Sequence, residues 1–198
     1  MSDNAPGTDG APRRLLLLIL SVTAVGQLSF AAVPPVLPEL AASLGVSRSA
    51  IGLVHGMVAF AGIFVAAYMG YLLDRFGRRR VVRWSLLLFG SAGAACFFAP
   101  NYWAMLGLRL LQGVGASTLL SVGIVLIGDQ FEGPRRRWAM GLNVTAVTIT
   151  GTLGPIAAGA LGEGGAFRAF LLYLLAFPVW VAARHMPDME FQQPVVFR

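Results

Sequence analysis

Six apolar blocks, residues 15–36, 49–72, 81–99, 103–127, 138–161 and 167–185, occupy most of this 198-residue chain. A helix crosses the hydrocarbon core of a bilayer with about 20 residues, and every block reaches about that length. A segment in lipid has no water to satisfy its backbone N–H and C=O groups, so it must satisfy them within itself, as a helix does. The expected fold class is therefore an all-α membrane protein with six transmembrane helices. Composition agrees: 57% of the residues are hydrophobic and 12% are charged, against about 25% charged in ordinary soluble domains.

The charge lies in the gaps between the blocks, which excludes a nucleic-acid surface as the reason for the net charge of +6. All 15 basic residues are arginine. With the N-terminus in the cytoplasm, Arg13, Arg14, Arg75, Arg78, Arg79, Arg80, Arg83, Arg135, Arg136, Arg137, Arg184 and Arg198 fall inside. Arg48 and Arg168 fall outside, and Arg109 lies within a block. Positive charge collects on the cytoplasmic side of membrane proteins, so both termini are expected there, in a plasma membrane of the bacterial inner-membrane kind. Residues 1–14 read as a disordered cytoplasmic tail, 15–185 as the membrane domain and 186–198 as a second cytoplasmic tail. Arg13 and Arg14 before an apolar run resemble a secretory signal. The run continues to Val33 with no small-residue cleavage site, so it reads as a retained first span. Cys96 lies inside a block and has no cysteine partner in the chain.

Three motifs stand in three different blocks. After the second block comes Gly70-Tyr-Leu-Leu-Asp74-Arg75-Phe-Gly77-Arg78-Arg79-Arg80. Gly70 and Asp74 share a helix face, Gly70 permits close approach of a neighbouring helix, and Gly77 permits a tight reversal. Asp74 is suited to accept from a helix N-terminus or to pair with an arginine, and Arg78–Arg80 suit an anionic leaflet. The fourth block carries Arg109-Leu-Leu-Gln112-Gly113-Val-Gly115-Ala116. The fifth carries Gly151-Thr-Leu-Gly154-Pro155-Ile-Ala-Ala-Gly159, two ridges of small residues with a helix-kinking proline. Together the three resemble the signature loop, the Arg-x-x-Gln-Gly pattern and the antiporter element of the major facilitator superfamily. The third departs from the family pattern in the spacing of Gly151 and in Ala158, which replaces a glycine. The resemblance covers residues 15–185. It implies one half of a twelve-span transporter, itself a 3+3 inverted repeat, with a gating loop at Gly70, Asp74, Arg75, Gly77, Arg78 and Arg79. It also implies packing of Gly151, Gly154, Pro155 and Gly159 between halves, and drug or metabolite efflux by alternating access.

Arg109 stands about six residues, roughly 9 Å, from the outer end of its block. A charge there costs ~2.5–3.5 kcal/mol at helix centre unless it faces a cavity or a partner. Gln112, Gly113 and Ala116 share its face. The resemblance implies a role for Arg109 in proton coupling or cavity structure; with Gln112, Gln27, His55 and Asn143 it makes the candidate cavity-lining or proton-coupling set, while outward snorkelling of Arg109 and plain packing by His55 remain open. No acidic residue lies in the core of any block, although coupling to protons ordinarily uses one. No nucleophile motif, catalytic pairing or metal-ligand spacing is present, so neither an enzyme nor a cofactor or metal is expected. The expected partners are the lipid bilayer, a small-molecule substrate with protons, and a second six-helix half. Three readings follow: an N-terminal half or truncated product of a transporter, a natural half-transporter that dimerises, or a membrane protein of another class such as an assembly factor.

Overall fold

The computed structural model describes residues 10–186, almost entirely as helix. Helix α1 spans Gly10–Ala31. After Pro34 and Pro35 a 3-10 turn, Pro34–Val36, leads into the short α2, Leu37–Leu44. Helix α3 runs Arg48–Phe76, α4 Arg78–Ala95 with a 3-10 turn Cys96–Phe98, α5 Tyr102–Gln130 and α6 Gly133–Gly162. The last segment is 3-10 over Ala166–Leu175, α-helical as α7 over Ala176–Ala182, and 3-10 again over Ala183–His185. Among the described residues, five helices are long and apolar enough to cross a membrane, and Ala166–Ala182 is a shorter apolar helix.

Several boundaries differ from the sequence expectation. The first block breaks at Ala31, because Pro34 and Pro35 lack the N–H groups that would continue the ladder. The loop expected between the first two blocks is mostly α2. Gly10–Arg14, expected in a disordered tail, already belongs to α1. Residues 1–9 and 187–198, which hold the rest of both expected tails, lie outside the described residues. Helix α6 passes through Pro155 without interruption.

Two helices form the centre. Helix α5 packs on α1, α3 and α4, and α1 packs on α5 and α6; the last segment packs against α4 and α6. Glycines set the spacing. A Cβ on Gly113 would stand 2.7 Å from the Val58 Cα of α3, and one on Gly115 would stand 2.8 Å from the Ser85 carbonyl oxygen of α4. Backbones this close leave no room for a methyl group, so α5 is wedged between its neighbours by main-chain contact. The flanking helices are barely covered: 28% of the most apolar stretch of α3 and 11% of that of α6 is buried, against 61% for the first span. At the end of the bundle opposite the Gly77 hinge, Glu39 on α2 accepts a hydrogen bond from the Ala166 N–H at 3.1 Å, which ties α2 to the start of the last segment.

Candidate functional site

The most demanding side chain in the bundle is Arg109. It is fully buried and is among the largest side chains so enclosed in the described residues. It stands seven residues into α5, roughly 10 Å from that helix's first residue. Its guanidinium reaches four helical segments. Nε donates to the Val54 carbonyl of α3 at 3.1 Å. One terminal nitrogen donates to Gln112 Oε1 at 2.6 Å and to the Tyr173 hydroxyl at 3.1 Å. The other donates to the Ser29 carbonyl at 2.9 Å. Ser29 lies in the last turn of α1, where carbonyls lack partners along the helix and carry the negative end of its dipole. Every acceptor is neutral, so helix-end and peptide dipoles hold the cation where a carboxylate would ordinarily do so. Tyr173 in turn meets Phe89 edge to face at 5.3 Å between ring centres, which fixes the phenol.

The sequence candidates are placed as follows. Arg109 and Gln112 are brought together. His55 follows Val54 on α3, its ring edge-on to Phe30 at 6.3 Å, and its Nδ1 is buried without a partner among the described residues. Gln27 sits beside α6, its amide nitrogen 3.6 Å from where a Cβ on Gly151 would be. Asn143 is buried in the other half of α6, its Oδ1 unpaired among the described residues. Arg109 neither snorkels outward nor lines an open surface, because no part of it is exposed. Tyr173 and the carbonyls of Ser29 and Val54 were not among the candidates. Tyr173 was readable as the one polar atom in the run Phe170–Phe177, but backbone acceptors leave no mark in a sequence.

The residues of the charged hinge fall into four groups. Gly77 turns the chain between α3 and α4 with φ +77°, a left-handed conformation that favours glycine. Arg78 pairs with Asp129 at 2.8 Å, and Arg79 donates to the carbonyl of Arg184, so the hinge is tied to the ends of α5 and of the last segment. Asp129 stands at the negative end of the α5 dipole, where a carboxylate is unfavourable without such a cation. Arg75 folds back onto Tyr71 of its own helix. The expected partners of Gly70 and Asp74 are not found among the described residues: Gly70 faces open space, and Asp74 is exposed with no ion pair. In α6 the two small ridges behave differently. Gly154 and Gly162 press on Ala31 and Val36, each leaving under 3 Å for a Cβ, while Gly159 faces open space and Pro155 is half-buried.

Residues 19–195 match the family model described as Major Facilitator Superfamily. Among known proteins, the chain is 33% identical over 148 residues to the bacillibactin exporter of Bacillus subtilis, covering 71% of this chain and 37% of that one. It is 35% identical over 167 residues to a multi-drug resistance efflux pump PmrA homolog of Lactococcus lactis, covering 81% and 40%. To multidrug resistance protein D of Escherichia coli it is 27% identical over 177 residues, covering 88% and 45%. The aligned part is thus less than half the length of each of these relatives. A match running from the first long helix through the last segment, on a bundle clasped about Arg109 and hinged at Gly77, leads to one conclusion: the chain belongs to the Major Facilitator Superfamily.

Proposed function

We propose that this chain is the N-terminal half of a secondary transporter that exports a small molecule by alternating access, coupled to protons, across a bacterial inner membrane. The observation that carries the reading is the family match over residues 19–195, together with relatives whose names describe exporters and efflux pumps. In this reading the segment Ala166–His185 is the sixth span. Ten 3-10 residues at about 2 Å rise each lengthen it beyond an α-helix of equal residue count. Both termini are cytoplasmic, the six spans form two inverted triplets, and a second six-helix half covers the exposed sides of α3 and α6. Gly70, Asp74, Arg75, Gly77, Arg78 and Arg79 form the gating loop. Arg109 and Gln112 hold the half rigid beside the transport path, with Gln27, His55 and Asn143 as the other polar groups of the cavity side. The acidic residues among the described ones, Glu39, Asp74, Asp129, Glu132 and Glu163, stand at helix ends or in connections, so in this reading a carboxylate of the second half, or groups other than carboxylates, carry the proton.

The test is accumulation of a fluorescent cationic dye in a host stripped of its own exporters. The chain is expressed alone and beside the C-terminal half of a matched relative. The expected result is lower accumulation in the paired arrangement, abolished when the proton gradient is dissipated. Unchanged accumulation in both arrangements, with the protein present in the membrane, would refute the reading.

A further inference from the structure

A second basic cluster lies where the start of α4 meets the end of the last segment. The indole of Trp180 carries two guanidinium groups, Arg184 at 4.2 Å and Arg83 at 5.4 Å from the ring centre. Two cations gathered on one ring repel each other unless an anion joins them. Neither takes part in an ion pair among the described residues, where the recorded pair is Arg78 with Asp129. The cluster also has donors to spare: Arg83 Nε and Trp180 Nε1 are buried with no acceptor among the described residues. Arg79, one turn before Arg83, donates to the Arg184 carbonyl and so fixes the two segments against each other. The α4 N-terminus begins five residues before Arg83 without a side-chain cap, and its dipole adds positive potential.

A group that only accepts, with several oxygens and negative charge, fits this arrangement, and a phosphate has that chemistry. Its source follows from the position. The cluster lies at the end of the bundle that carries most of the arginines, and a tryptophan at a helix end suits the headgroup level of a membrane. Arg184 is exposed, and Trp84 beside Arg83 is 71% exposed, a surface on which acyl chains can lie. We propose that Arg83, Arg184 and the Trp180 N–H bind the phosphate headgroup of an anionic phospholipid where α4 meets the last segment. None of the three binding groups is among those assigned to transport, and the site stands whether or not the chain transports anything.

The full chain, reconstituted in phosphatidylcholine vesicles, is titrated with brominated phosphatidylglycerol or brominated phosphatidylcholine. Quenching of Trp180 is read as the part of the signal lost in Trp180→Phe. Phosphatidylglycerol is expected to quench at lower mole fraction, and each of Arg83→Ala and Arg184→Ala to cut the preference about fivefold. Arg48→Ala, at the opposite end, leaves it intact. Should Arg83→Ala fail to assemble, Arg184→Gln at its exposed position carries the same expectation. Equal quenching by both lipids, or a preference that survives loss of both arginines, overturns the proposal. Millimolar inorganic phosphate that erases the preference as completely as the double substitution overturns the lipid headgroup as the ligand.

Discussion

Arg109 illustrates what a single residue can require of a membrane bundle. Its four hydrogen bonds run to α1, α3, α5 and the last segment, so it is a joint as much as a charge. Removing it orphans the Ser29 carbonyl and the Gln112 amide oxygen, and each buried group left unpaired costs about 1–3 kcal/mol. Arg109→Met is therefore expected to lower the melting temperature of the detergent-solubilised protein markedly. Arg109→Lys should rescue little, because an ammonium lacks the planar fork that spans three directions at once. A thermal melt of both variants followed by size-exclusion fluorescence decides it; a Lys variant as stable as the native protein would show that charge alone suffices.

At the scale of the element, the glycines of α5 and α6 sort into those under a neighbour and those facing space. Gly113→Ala drives a methyl group into the α3 backbone, and overpacking of this kind costs about 1–3 kcal/mol. Gly107→Ala, with nothing within 4 Å, should be neutral or slightly stabilising. The same contrast holds in α6: Gly154→Leu meets Ala31 and should impair assembly, while Gly159→Leu should leave the bundle folded. Protease resistance in membranes compares the two pairs. If Gly154→Leu and Gly159→Leu prove equally resistant, α6 is not seated on α1 through that ridge. The hinge offers a gentler probe. Asp129→Asn breaks a pair that is 12% and 34% exposed on its two sides, so solvent screening limits the loss to under about 1 kcal/mol. That loss should shrink further in high salt.

For the whole molecule, the contrast lies between a well-covered centre and bare flanks. Helix α3 presents Phe60, Ile63, Phe64 and Tyr68 to its surroundings, and α6 presents Val144, Ile149, Leu153 and Ile156. Lipid tolerates such surfaces, so they do not by themselves demand a partner. Orientation is directly testable. In a Cys96→Ala background, which removes one buried thiol, Ser43→Cys on α2 should react with an impermeant maleimide added to intact cells. Arg80→Cys at the hinge should react only after the cells are opened. Labelling in the reverse pattern would invert the topology drawn from the arginines.

The all-helical class, the order of the five long apolar helices, the hinge at Gly77 and the family all follow from local features, and local features are what a sequence displays. Block length reflects bilayer thickness, and motif residues sit within a few positions of one another. The early end of α1 was written in Pro34 and Pro35, yet it was masked by the apolar run around them. What only the tertiary structure decided is the surroundings of each polar side chain. Arg109 could be picked out as costly in lipid, but its solution uses main-chain carbonyls of helices 55 and 80 positions away, and carbonyls look alike at every residue. Gly70 and Gly154 carry the same residue type in comparable motifs. One faces open space and the other presses on α1, because contact depends on which helix the fold sets opposite, and that pairing is fixed by the bundle as a whole.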